Sequence, residues 1–338
     1  FTRHQLKYVN KQDNVILFKD FEKKYSSKDF SSVIVHFLNS RKIRFINKYI
    51  DKKLPIYWII WGNDLYNKLL YPKGFELYDT QSSYYKKYKK SFFSDAFNKI
   101  INNLKTIKIE KFISKRISYI VTDTTENDYE MLLKYYPKLK HIPWKEFFYY
   151  PIDSVLSEEL MQKWVDGNNI QIGNSASITN NHEYAMRPLS KLNLDNKKIY
   201  VPLSYSGTKE YRESVKSKGL EYFEDKFIAL EDFLPLEEYN RLMLSFSVAI
   251  YGNFRQEAVG NILISLYLGA KVFLPENNPV YFWAKKLNLI IFALESISQK
   301  DIEEKLDISS RNHNRNIILN LYNTKRLKSL IEENFIQK

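Results

Sequence analysis

The sequence predicts an α/β fold with two domains in series, each a parallel sheet covered by helices. Three observations lead there. Short β-branched or aromatic runs alternate with segments of helical period. No internal repeat or low-complexity linker interrupts the alternation. The 338 residues also amount to about two domains of chain.

In the first half, strands are expected at 14–18, 32–37, 56–61, 117–122 and 140–142, with helices that include 91–114 and 128–136. A boundary falls near Tyr150-Pro151, and 157–166 reads as a connecting helix. The second half is cleaner. A strand at 170–173 precedes a helix around 183–192, and a strand at 198–203 precedes a helix at 208–218 that Gly219 stops. After a strand at 227–230, Tyr239, Leu242, Met243 and Phe246 share one face of a helix over 237–246. A strand at 248–251 follows, then a helix on Val259, Ile262, Leu263 and Leu266 that Gly269 caps. A strand at 271–274, a helix through Trp283 and a strand at 289–294 complete the series. The expected division is 1–150 and 151–310 with a cleft between them, and helices over 311–338 that pack back.

Composition narrows the function. With 44% hydrophobic and 27% charged residues, the chain buries a large core, and general disorder is excluded. Its 52 Lys and Arg against 39 acids give +13, which suits an anionic partner: nucleic acid, a phosphorylated substrate or an acidic membrane face. With no cysteine, disulfides, thiolate metal sites and cysteine nucleophiles are impossible, which is compatible with a cytoplasmic protein. No apolar run reaches the ~18 residues of a membrane span. The nearest is 261–274, and Lys271 interrupts it. The start Phe1-Thr-Arg-His has no signal-peptide character and lacks an initiating Met, so the natural beginning is expected upstream. G-x-G-x-x-G, G-K-[ST], H-E-x-x-H and D-x-D are all absent, and His4, His36, His141, His182 and His313 are scattered. Metal catalysis is disfavoured.

What remains are polar loops at strand ends, where open α/β sheets bind ligands. Gly173 to His182 sets hydroxyl and amide side chains before a helix, as phosphate binding needs, and it reads equally as a helix-capping turn. Tyr251 to Gly260 puts Arg255 at a helix start, where its guanidinium would take a diphosphate with two prongs from an open cleft; the alternative is a surface pair with Glu257. Pro202 to Gly207, with Tyr205, ends a third strand of the same half. In the first half Trp61, Gly62 and Asp64 follow a hydrophobic strand, and Asp64 is either a general base in the cleft or a helix cap.

W-x-x-W-G-x-D-L-Y at Trp58 to Tyr66, G-N-S-x-S-x-T-N-N-H at Gly173 to His182, V-P-L-S-Y at Val201 to Tyr205 and F-R-Q-x-x-x-G at Phe254 to Gly260 occur in this order. Together they resemble glycosyltransferase family 56, the dTDP-4-acetamido-4,6-dideoxygalactose transferases, which include the lipid II transferase of enterobacterial common antigen synthesis. The resemblance implies a GT-B fold: two Rossmann-like domains whose parallel sheets face a central cleft. It implies transfer of a 4-acetamido-4,6-dideoxyhexose from a dTDP-sugar to an undecaprenyl-diphosphate-linked saccharide, with no metal and no cofactor. It also implies a peripheral position on the inner face of the bacterial cytoplasmic membrane. Carried onto this chain, donor binding falls to Gly173, Asn174, Ser175, Ser177, Thr179, Asn180, Tyr205, Phe233, Arg255, Gln256, Glu257 and Gly260. The acceptor side falls to Trp61, Gly62 and Asp64, and catalysis to Asp64, Arg255 and His182. Two features depart from the pattern: the first strand of the N-terminal domain would precede Phe1, and Glu257 stands where an amide is expected.

Several alternatives stay open. A catalytic base would be Asp64, His182 or Glu183, and the nucleotide base is expected near 227–234. The segment 84–93, with Phe92, Phe93 and Phe97 beside its lysines, either rests on an anionic membrane or turns an apolar stripe to the core. Other readings are a GT-B transferase for a different nucleotide-sugar, or a basic single-stranded nucleic-acid binder using some of the 26 Tyr and 22 Phe. Dispersed basic residues and the absence of RRM, KH or OB signatures weigh against nucleic acid.

Overall fold

The computed structural model describes residues 16, 18–92 and 96–336, and side chains outside 89–104. Strands β1 (Val33–His36), β2 (Ile56–Ile59), β3 (Tyr119–Thr122) and β4 (Trp144–Glu146) pair in that order, all parallel. Six more strands form a second parallel sheet: β5 (Asn169–Ile172), β6 (Ile199–Pro202), β7 (Phe227–Leu230), β8 (Phe246–Ile250), β9 (Lys271–Leu274) and β10 (Phe292–Ala293). Their order is β10-β9-β8-β5-β6-β7. The chain therefore grows outward from β5 to β7, then crosses back to lay β8 on the other side of β5. That reversal opens a crevice at the carboxyl ends of β5 and β8, the place where doubly wound sheets take ligands.

Burial explains the strand sequences. Ile56, Tyr57, Trp58 and Ile59 of β2 are each at most 2% exposed, and every residue of β8 and β9 is buried. Parallel strands with helices on both faces read as continuous apolar runs for this reason. Helix Val259–Leu268, buried from Ile262 onward, lies between the second sheet and helix Ile308–Leu321. The last helix, Thr324–Phe335, returns to the first sheet. Arg326 pairs with Glu146 at 2.7 Å, Asn334 donates to the Glu146 carbonyl at 2.8 Å, and Phe335 meets the Tyr57 ring at 5.1 Å.

Several expected elements shift, each for a physical reason. Residues 140–142 are not a strand. Pro137 starts a 3-10 turn over Pro137–His141, and β4 begins after Pro143, whose carbonyl accepts from Ile120. Only Glu158–Met161 is helical within 157–166, because Val165 turns to donate to the Leu268 carbonyl at 2.8 Å. Phe246 opens β8 instead of closing a helix, and of 289–294 only Phe292 and Ala293 pair. Phe18–Asp20 is a 3-10 turn, and the rest of the expected strand at 14–18, apart from Ile16, lies outside the described residues. In segment 84–93 the Tyr84 ring stands 5.0 Å from Tyr211 and Tyr85 is buried, so this end packs inward. The side chains of Phe92 and Phe97, and Phe93 altogether, lie outside the described residues.

Gly219 does not stop its helix, which runs through it from Lys209 to Phe223. The Phe227 ring lies against it, and a Cβ there would sit 2.2 Å from Phe227 Cε2. Gly219→Ala is therefore expected to lower stability by about 1–2 kcal/mol: with three ring atoms within 2.5 Å, overpacking lies in the upper part of its roughly 1–3 range and outweighs about 1 gained in helix propensity. Chemical denaturation checks this. A neutral or stabilised variant would mean that the ring moves aside at no cost.

Candidate active site

The crevice at β5 and β8 is built from short loops that hold one another. Gly173 ends β5 at φ +71, and a Cβ there would fall 2.8 Å from both Asn180 Oδ1 and His182 Nε2. Asn180 Oδ1 accepts from the Asn174 amide at 2.9 Å, and its Nδ2 donates to Ser175 Oγ at 3.3 Å. Ser177 and Thr179 bond through their hydroxyls at 2.8 Å. From these loops three donors converge on one oxygen, Glu257 Oε2: Thr179 Oγ1 at 2.6 Å, Asn253 Nδ2 at 2.8 Å and Arg255 Nη2 at 3.0 Å. Arg255 also donates to the Gln256 carbonyl, and helix Val259–Leu268 starts shortly after, with first-turn amides that lack partners within the helix. This is a site built for negative charge, and Glu257 supplies the negative charge there.

Arg255 thus lies in neither of the expected settings. With 8% of its side chain exposed, against 13% for Glu257, it forms a buried ion pair instead of facing an open cleft or the surface. Four buried polar atoms around this pair have no partner: Asn174 Oδ1, His182 Nε2, Asn253 Oδ1 and Arg255 Nε. Buried polar groups are normally bonded, so a cluster of orphans marks a place for a polar ligand. Tyr205, 44% exposed, accepts from Asn174 Nδ2 at 3.1 Å and joins the cluster. Phe233 is well exposed on the loop after β7.

The first sheet meets this wall directly. Gly62, at φ +76, closes on the second half so tightly that a Cβ would fall 2.6 Å from Gln256 Oε1 and 2.8 Å from Arg255 Nη1. Trp61 is 54% exposed beside it, and its Nε1 donates to Tyr149 Oη at 2.5 Å, which also bonds His36 Nδ1 at 2.5 Å. Tyr150 covers the start of helix Val259–Leu268, with ring atoms 3.5 Å from where a Gly260 Cβ would stand. His36, Tyr149 and Tyr150 escaped the sequence reading. The available signal was position, since His36 is the last residue of β1 and the tyrosines follow β4. Burial and the nearby Lys42 charge lower the His36 pKa, so it is neutral at neutral pH.

Two expected acid–base residues sit elsewhere. Asp64 is 2% exposed and accepts from Leu38 N at 2.8 Å, Trp58 Nε1 at 2.8 Å and Trp61 N at 2.9 Å. It locks the strand-end turn and does not project into the cleft. His182 is fully buried behind Gly173 and bonds Tyr211 Oη at 3.0 Å; burial pulls its pKa down to about 3. Glu183 accepts from the Ser83 amide at 2.8 Å. Two acids after β3 come to the cleft instead, Asp123 in the loop and Asp128 in the first turn of helix Asn127–Tyr135. Asp123 accepts from Tyr322 Oη at 2.6 Å, and Asp128 Oδ1 from Tyr66 Oη at 2.5 Å. Burial pushes Asp128 up to about 7; Asp123 and Asp64 add to this, and the Tyr66 hydrogen bond and Arg255 charge oppose it.

Arg255→Ala would leave Glu257 buried with two donors and no counter-charge. Breaking a buried pair from one side costs about 3–5 kcal/mol, and the remaining donors place this case at the lower end. The expected result is a clearly lowered Tm, partly recovered in Arg255→Ala/Glu257→Ala. An unchanged Tm in the single variant would show that the pair is exposed in solution.

Comparison with known proteins agrees with this architecture. The chain superposes on a sucrose-phosphate synthase from Thermosynechococcus elongatus with a TM-score of 0.62 at 9% identity, covering 94% of this chain and 75% of that one. It matches HepE from Anabaena, solved with UDP-glucose, at TM-score 0.59 and 10% identity over 89% and 77%. An α,α-trehalose 6-phosphate synthase from Burkholderia multivorans gives 0.58 at 9% identity over 94% and 74%. Likeness at this identity establishes the GT-B fold. The family model for 4-α-L-fucosyltransferases, glycosyl transferase group 56, matches residues 107–324. With parallel sheets facing a cleft and that match over more than half its length, the chain belongs to glycosyltransferase family 56 and is a glycosyltransferase.

Proposed function

We propose that this enzyme moves a 4-acetamido-4,6-dideoxyhexose from a dTDP-sugar to an undecaprenyl-diphosphate-linked saccharide. The observation that carries the donor side is the convergence of Thr179, Asn253 and Arg255 on one anionic oxygen, beside a helix start and ringed by unpaired buried polar atoms. A nucleoside diphosphate supplies what that crevice selects for. In this reading its phosphate oxygens take over the donors that hold Glu257, and the Glu257 carboxylate turns to a sugar hydroxyl. Charge that builds on the departing diphosphate is met by Arg255 and the helix amides, and no metal is invoked. Phe233, exposed after β7, offers a face for the thymine. Trp61, Tyr149 and Tyr150 offer aromatic faces for acceptor sugars across the cleft.

A thermal-shift panel of dTDP, UDP, GDP and their sugars, run in EDTA, tests the donor. A ligand that binds only the native state raises stability by RT ln(1 + [L]/Kd), so dTDP is expected to give the largest shift. A larger shift from UDP would move the assignment to another nucleotide-sugar, the kind HepE was solved with. Arg255→Lys keeps the charge but loses the planar fork, and kcat/KM is expected to fall by on the order of 10²-fold. Turnover at the parental rate would remove Arg255 from the diphosphate.

The acceptor implies a lipid surface. Among the described residues no helix is long and apolar enough to cross a membrane. The proposed contact is peripheral, through the +13 net charge and the lysines at 86, 87, 89 and 90. Each basic residue near anionic lipid adds about 1 kcal/mol. Sedimentation with anionic vesicles is expected to fall as salt rises. Equal pelleting with neutral vesicles would remove the electrostatic contact.

A further inference from the structure

We propose that Asp128 is the general base that takes the proton from the attacking acceptor hydroxyl. The inference rests on the transferase reading above and assigns a role that no motif in the chain announces. Asp64, His182 and Glu183 are each committed to structural bonds. Asp128, by contrast, lines a pocket of about 290 Å³ between the two halves. Asp123 and Thr125 share its wall from the first half, and Gln256, Val259 and Trp283 bound it from the second. Gln256 adjoins Arg255, and Val259 opens the helix that follows the Arg255 loop, so the pocket abuts the place where the sugar–phosphate bond would lie.

Two polar atoms of this wall, Thr125 Oγ1 and Trp283 Nε1, are buried with no partner, as in a site that expects hydroxyl groups. Tyr66 Oη fixes Asp128 through Oδ1, and Oδ2 bonds no group among the described residues. The charges around it are Asp123 from the loop that precedes its helix, Asp64 with the Tyr66 hydroxyl from segment Asn63–Leu70, and Arg255 from the loop after β8. From helix Pro279–Lys286, Lys286 is taken by Glu130 at 2.7 Å. Burial above all, with Asp123 and Asp64 against Tyr66 and Arg255, places the carboxyl near neutrality, where a base is both available and strong enough.

The step balances within the protein and its two substrates. As the acceptor oxygen bonds the anomeric carbon, its proton passes to the Asp128 carboxylate. The bond from that carbon to the diphosphate breaks, and its electron pair leaves with dTDP beside Arg255. The protonated Asp128 then returns its proton to water.

The test uses the full chain, dTDP-4-acetamido-4,6-dideoxygalactose and a prenyl-diphosphate-linked disaccharide, with slow release of dTDP to water as a second readout that needs no saccharide. Asp128→Asn keeps an acceptor for Tyr66 and removes the base. It is expected to lower kcat by 10²-fold or more in both readouts, while the donor-induced thermal shift stays within twofold of the parent. The variant should also fold well. A raised carboxyl pKa means that the folded state loses stability as pH climbs from about 4 to about 7. Asp128→Asn escapes that loss and should melt no lower than the parent at pH 8. Parental kcat/KM should fall about tenfold per pH unit below about 7, and the residual activity of Asp128→Asn should lose this acid limb. Tyr66→Phe removes a bond that favours the charged carboxylate, so the limb should move to higher pH. An Asp128→Asn variant that binds donor and turns over at the parental rate would overturn the base. A parent that binds no dTDP-sugar would overturn the transferase reading itself, and the base with it.

Discussion

Asn181 ties the crevice together. It sits at φ +47, a left-handed conformation that asparagine tolerates better than most residues, between a one-turn 3-10 segment and helix His182–Leu189. Its Oδ1 accepts from Asp79 N at 3.0 Å, and its Nδ2 donates to the Leu77 and Gly252 carbonyls, each at 3.2 Å. One buried amide therefore binds the first half of the chain to both central strands of the second sheet, at the point where strand order reverses. Arg187, nearly two turns further along the helix, reinforces the joint through its ion pair with Asp79. The positions of Asn180, Thr179 and His182 all follow from this turn, and through Thr179 so does the oxygen that Arg255 meets.

The cleft gathers charge in a dry place. Arg255, Glu257, Asp64 and Asp128 are all buried or nearly so, and burial raises both aspartates. Burying a charge is costly unless it is paired, so a cluster of this kind is not what stability alone would select. The pairing differs by residue. Asp64 is satisfied by three N–H donors and is structural. Glu257 is held by donors that an incoming anion would also seek. Asp128 has a single hydroxyl partner and keeps its proton until near neutrality. A buried acid of the last kind, held near neutrality in a cleft, marks a place for chemistry.

How much of this was legible in the sequence depended on whether local pattern or tertiary contact decided the outcome. Doubly covered strands such as β8 and β9 write themselves as apolar runs, and the loops after β5 and β8 were found because ligand loops follow strand ends. Residues 140–142 were misread because Leu139 and Ile142 are buried from a turn, which mimics a strand when Pro137 and Pro143 are not weighed. Gly219 was misread because a glycine that admits a neighbouring ring looks the same, in one dimension, as a glycine that ends a helix. Asp64 looked catalytic by its place after Trp61-Gly62. Only the fold shows that Trp58, six residues earlier, turns its indole N–H back onto it. Asp128 had the reverse fate. Nothing local separates it from a helix-starting acid, and its environment comes from Tyr66 and Arg255, 62 and 127 residues away in the sequence.

The same long-range contacts bear on how binding and stability are linked. Gly62 touches Gln256 and Arg255, and Tyr150 lies over Gly260, so the two halves close on the donor loops themselves and not on a separate hinge surface. Several orphaned polar atoms, among them Thr125 Oγ1, Arg255 Nε and Trp283 Nε1, and a near-neutral buried acid lie along this seam and reduce its stability. A diphosphate bound to Arg255 and a hydroxyl beside Thr125 and Trp283 would satisfy groups on both sides at once. Substrate binding and closure then share one free energy, because each completes bonds that the other needs. A seam left incomplete by the protein alone is one that a diphosphate and an acceptor hydroxyl would complete together.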